Sequence, residues 1–201
     1  MQSVSNKLSI FSDLIDNLDR QKKLQQEQMS IFNQILSAID NPEREASSNQ
    51  LGSILDTVQQ LSGNYQTKPD TIQSAMSIVG NYTKSALRQK RDRDGIGQVN
   101  QIINQFGGTK ANPQILSALF GSSQLQDMIL QISRRTGMDA RTIQSLLPIL
   151  VPLVLNFLKT GNNRRNMQDR NPVASSFLDS DGDGDVDLMD AMGMASRYLG
   201  R

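Results

Sequence analysis

Apolar residues recur three and four positions apart along most of this chain, the pattern of helices that bury one face. Leu8, Phe11, Leu14, Ile15 and Leu18, then Met29, Phe32, Ile35, Leu36 and Ile39, predict two amphipathic helices, or one long one, between residues 4 and about 40. The nearly all-polar stretch 21–28 between these groups reads as an exposed helical segment or a break. Asn41-Pro42 is a stop signal, because proline restricts the residue before it and cannot continue a helix interior. Further helices are predicted over 51–61, 69 to about 90, 96–106, 113–120, 125–135 and 139–159. Gly63-Asn64, Gly107-Gly108, Gly121, Gly137 and Gly161 punctuate them. No segment alternates with a period of two for long, so the predicted fold class is all-α, a helical bundle.

Within the last predicted helix, residues 146–158 are apolar on nearly every side. Such a helix must be covered all round, by neighbouring helices or by a second chain. The run is shorter than the roughly 20 residues needed to span a bilayer, which makes it a core helix rather than a transmembrane segment. Pro148 and Pro152 each remove a backbone donor, and are expected to kink the helix or delay its regular start.

The chain also aligns with itself, without gaps, at a shift of 71 residues. Thr71-Ile72-Gln73-Ser74 falls on Thr142-Ile143-Gln144-Ser145, Asn33-Gln34 on Asn104-Gln105, Ser62 on Ser133, and Leu87 on Leu158. Apolar positions track as well, with Val58 on Ile129 and Leu61 on Ile132. This register predicts an internal repeat, about 31–88 and 102–159, in which the second copy is central. The segment Ile132-Ser133-Arg134-Arg135-Thr136-Gly137-Met138-Asp139, followed by Leu146-Leu147-Pro148 and Val151-Pro152-Leu153-Val154, resembles the bacterial YidB-like family of unknown function. The resemblance covers roughly residues 100–160, and the first half departs from it by lacking the two prolines. It implies an all-helical bacterial domain and no particular chemistry.

Lys and Arg total 21 against 20 for Asp and Glu, so the net charge of +1 gives no broad field to attract nucleic acid or an anionic membrane. Cys and His are both absent. Thiolate and imidazole chemistry are therefore excluded, and with them the commonest general base, which points away from an enzyme. The basic group Arg88, Lys90, Arg91 and Arg93 is interrupted by Asp92 and Asp94 and has no aromatic residue among it. It reads as a solvated helix end rather than a nucleic-acid contact. Asp13, Asp16 and Asp19 stand where a signal peptide would be uncharged, which predicts a cytoplasmic protein, with non-classical export left open.

One segment carries specific chemistry. In Asp179-Ser180-Asp181-Gly182-Asp183-Gly184-Asp185-Val186-Asp187-Leu188-Met189-Asp190, carboxylates stand at positions one, three, five, nine and twelve of an EF-hand-type loop. Gly184 at position six permits the sharp turn, and Asp185 at position seven offers its backbone carbonyl. Val186 at position eight is the expected inward apolar residue. Asp179, Asp181, Asp183, Asp185, Asp187 and Asp190 are thus the candidate metal-binding residues, and Ca²⁺ the expected ion. Asp190 is one methylene shorter than the usual Glu at position twelve. That shortening predicts weaker Ca²⁺ binding and makes Mg²⁺ a competitor.

A polar linker, 161–171, is expected to join a helical domain, 1–160, to a calcium-binding module, 172–201. The helix entering the loop is limited to 172–178, at most two turns, so the module resembles half of a dockerin unit as much as a calmodulin-type hand. With no second loop in the chain, a lone hand must self-associate, pair with another protein, or pack on its own domain. The sequence thus predicts a non-enzymatic calcium-binding protein whose loop regulates or stabilises a helical interaction domain. The alternative is a structural or oligomeric helical scaffold in which the ion is purely structural.

Overall fold

A computed structural model describes residues 48–163 and 171–179. Among them are seven helices: α1 (Ser48–Asn64), α2 (Pro69–Asp94), α3 (Ile96–Phe106), α4 (Gln114–Leu119), α5 (Ser122–Thr136), α6 (Ala140–Lys159) and α7 (Pro172–Asp179). The fold is all-α, as the periodicity predicts. The expected helices between residues 4 and 40 lie outside the described residues.

The ends of these helices follow local chemistry. Pro69 opens α2 with its φ already helical and no amide hydrogen to leave unpaired. Asp70 sits in the first turn of α2, and Arg91 and Arg93 in its last, each complementing the helix dipole. The Asp139 carboxylate caps α6, accepting from the backbone amides of Arg141 and Thr142, both at 3.0 Å. α5 ends at Gly137, whose φ of 74° is left-handed backbone suited to glycine.

At the core stands α6, which touches each of the other six helices. Leu146, Leu147, Leu150, Val151, Leu153, Val154, Leu155, Phe157 and Leu158 point in all directions from it, and all are buried. Its all-round apolar sequence is therefore satisfied within the chain itself. Among the described residues α6 is also the one helix long and apolar enough to cross a membrane, and its packing is that of a core helix.

The two prolines do not delay α6, which begins at Ala140, ahead of both. Proline at 152 frees the carbonyl of Pro148, four residues earlier, from its usual partner. The amide of Asn112 donates to that carbonyl at 2.8 Å, and the amide of Gly108 to the carbonyl of Pro152 at 3.1 Å. The loop between α3 and α4 is thus bonded directly to the backbone of α6. Gly107 permits this close approach: a Cβ there would lie 2.6 Å from the carbonyl oxygen of Ile103 and 3.1 Å from the amide nitrogen of Asn156.

At the 71-residue shift, the start of α2 coincides with the start of α6, and α1 overlaps α5. The turns between them match in detail. The Ser62 hydroxyl donates to the carbonyl of Thr67 at 2.7 Å, and its counterpart Ser133 to that of Met138 at 2.8 Å. Gln66, with φ of 49°, occupies the position of Gly137. Ile72, Met76, Val79 and Leu87 are buried in α2 as Ile143, Leu147, Leu150 and Leu158 are in α6.

Candidate functional site

The candidate site begins where α7 is seated on the bundle. Asn171 precedes the helix and caps it, its Oδ1 accepting from the amide of Ala174 at 2.9 Å. Its Nδ2 donates to the carbonyl of Leu158 at 2.9 Å and to Asn162 Oδ1 at 2.7 Å. Asn162 in turn donates through Nδ2 to Asn104 Oδ1. This asparagine ladder links α3, the end of α6 and the start of α7, and gives the last-turn carbonyl of Leu158 a side-chain donor.

Both ends of the expected polar linker are consequently buried: Gly161 and Asn162 on one side, Asn171 on the other. The polarity that suggests a solvated linker is here used internally, in mutual hydrogen bonds. Gly161 is confined as well, since a Cβ there would lie 2.1 Å from Asn171 Oδ1 and 2.9 Å from Val173 Cβ. Residues 164–170 lie outside the described residues.

α7 spans two turns, the length the sequence allows for a helix entering the loop. Val173, Ala174, Phe177 and Leu178 form its buried face, and α7 packs on α6 and α2. From α2, three cations spaced four and three residues apart reach toward it. Lys84 Nζ lies 5.8 Å from the centre of the Phe177 ring. Arg88 Nε donates to the carbonyl of Leu178, in the last turn of α7. Arg91 Nη1 donates to Asp179 Oδ1 at 2.9 Å.

Asp179, the first candidate metal ligand, therefore stands at the C-terminal end of α7 with its carboxylate 65% exposed. The negative end of the helix dipole lies at the same point, which favours cations there. Asp181, Asp183, Asp185, Asp187 and Asp190 lie outside the described residues, so the structure describes one ligand of the expected six. No group of three or more acidic, His or Cys side chains able to hold a metal occurs among the described residues.

The basic end of α2 is more than a solvated helix terminus. Arg88 and Arg91 bind α7, whereas Arg93 bonds its neighbour Asp94, Nη2 to Oδ2, at 2.8 Å. That hydrogen bond raises the Arg93 pKa and holds the Asp94 carboxyl below the usual carboxylate range. The signal for the contact is present in the sequence as a basic stripe at 84, 88 and 91, one helical face, ahead of an acidic segment of opposite charge.

A protein-family model described as bacterial protein of unknown function (DUF937) matches residues 7–160. No curated protein and no solved structure matches the chain. The matched stretch runs from before α1 through the end of α6 and stops short of α7 and the acidic loop. The chain belongs to this bacterial family of unknown function, and carries α7 and the loop beyond the part that defines it.

Proposed function

We propose that this protein is a non-enzymatic calcium-binding protein in which an EF-hand-type loop at 179–190 is fastened to a helical interaction domain. One observation carries the reading: the first residue of a complete ligand series, Asp179, lies at the end of a two-turn helix with its carboxylate exposed. A hard cation taking six to eight oxygens suits closely spaced carboxylates, which repel one another until an ion neutralises them. Mg²⁺ is the expected competitor, because Asp190 is short for bidentate coordination. The domain that bears the loop is, on this reading, a duplicated helix–turn–helix unit. The matched turns at Ser62 and Ser133 support that duplication.

The test is isothermal titration of the full chain with Ca²⁺, beside a variant carrying Asp179→Ala and Asp183→Ala. Wild type should release or absorb heat below millimolar ion, and the double variant should lose that signal. Silence from the wild type, or equal binding by the variant, sinks the proposal.

The burial of Val173, Phe177 and Leu178 favours a second reading, in which the ion is a permanent part of a scaffold and regulates nothing. Circular dichroism during a calcium titration separates the two. A regulatory site changes helicity or partner affinity within a physiological window, whereas a structural one is filled throughout.

A further inference from the structure

The first carboxylate of the proposed calcium loop is already engaged by a cation of the protein itself. Arg91 Nη1 reaches Asp179 Oδ1 at 2.9 Å, while Arg91 Nε donates to Asp92 Oδ1 at 3.1 Å. The guanidinium is thus held between two carboxylates, and it is half as exposed as either, at 32%. One turn back along α2, Arg88 grips the carbonyl of Leu178, and a further turn back Lys84 lies over Phe177. The three cations follow the last turns of α7 and finish on the loop's first ligand.

A calcium ion taking that ligand would place two positive charges beside the bond from Arg91 to Asp179, and like charges so close repel even in water. We propose that Arg91 is a built-in competitor for the first ligand position, so that calcium uptake by the loop is coupled to release of the Arg91–Asp179 link between α2 and α7. The proposal rests on the calcium reading of 179–190 given above, and supplies its regulation. By linkage the coupling is reciprocal: the free energy that the ion pair adds to the docking of α7 is the free energy it removes from calcium binding. Both partners are partly solvated, so screening keeps the effect modest, about fivefold in calcium affinity at physiological ionic strength.

Arg93 provides the internal control. It carries the same charge two residues further along α2, and its hydrogen bonds go to Asp94. The experiment is isothermal titration of the full chain with CaCl₂ at neutral pH and physiological salt, for wild type, Arg91→Gln and Arg93→Gln. Arg91→Gln should bind calcium about fivefold more tightly, and Arg93→Gln should lie within about twofold of wild type. Damage to a merely structural contact would weaken binding, so a gain is the distinguishing sign. Unchanged or weaker binding in Arg91→Gln overturns the competitor role. An equal gain in both variants assigns the effect to the general charge of the helix end, and overturns it too. If none of the three binds calcium up to millimolar ion, the calcium reading itself fails and takes this inference with it.

Discussion

Asn171 offers a test in which two accounts of one side chain give opposite answers. As a helix cap alone it would be replaceable by Asp, since the two cap almost equally well. The structure assigns it more: its Oδ1 caps α7, and its Nδ2 supplies hydrogen bonds to Asn162 Oδ1 and the carbonyl of Leu158, all with the residue 2% exposed. Asn171→Ala removes the cap, worth about 1 kcal/mol, and both donated bonds. Each lost buried bond costs about 1 kcal/mol, the lower end of the range for Leu158 because the amide of Gly161 also reaches its carbonyl, at 3.3 Å. The sum is about 3 kcal/mol, a large share of the stability of a domain this size. Asn171→Asp keeps the cap but sets carboxylate oxygen against two acceptors, 2.7 and 2.9 Å away, in buried surroundings. It should cost at least as much as Ala. Urea unfolding followed by helical circular dichroism gives the global cost, and hydrogen exchange at the α7 amides shows whether the loss appears first as undocking of α7. An Asn171→Asp variant within about 0.5 kcal/mol of wild type would refute the reasoning, reducing Asn171 to a cap.

Two further predictions concern turns. Gly137→Ala should destabilise by about 1 kcal/mol from backbone strain alone, because φ is 74° and a Cβ meets nothing within 4 Å; Gln66→Gly, at the matched position with φ of 49°, should be neutral or slightly stabilising in the same urea assay. The Asp139 carboxyl is held below the usual carboxylate range, chiefly by the Thr142 hydroxyl and then by backbone amides. A depressed folded pKa means its stabilisation is complete above the unfolded value of about 4 and is lost as pH falls through the folded value. Thermal melts of wild type and Asp139→Asn should therefore differ at pH 7, with wild type the more stable, and converge in strongly acidic solution.

Most helix boundaries were legible because residues that punctuate helices do so through local chemistry. Pro69 opens α2, Gly107 closes α3, and Gly137 closes α5, wherever the rest of the chain goes. The centrality of α6 was legible too, since a helix apolar on every side has few places to be. What escaped the sequence depends on partners distant along the chain. Asn162 and Asn171 look like linker residues until each supplies the other's hydrogen bond. Arg88 and Arg91 look like a solvated terminus until α7, ninety residues on, arrives with a carbonyl and a carboxylate. Pro152 looks like a fault until a separate loop provides the donor it lacks. Of the candidate metal ligands, the structure describes Asp179, and it shows for that residue an ion pair with Arg91 that motif spacing does not reveal.

The bond from Asn112 to the carbonyl of Pro148 has a consequence for how the domain holds together. A helix ordinarily completes its own hydrogen-bond ladder, and so can form before its neighbours arrive. α6 cannot, because a rung of its ladder is supplied from outside. The segment 140–159 taken alone would be a poorer helix than its leucine content suggests. Formation of the central helix and closure of the α3–α4 loop thus become a single event, and the core is expected to open and close as one cooperative unit.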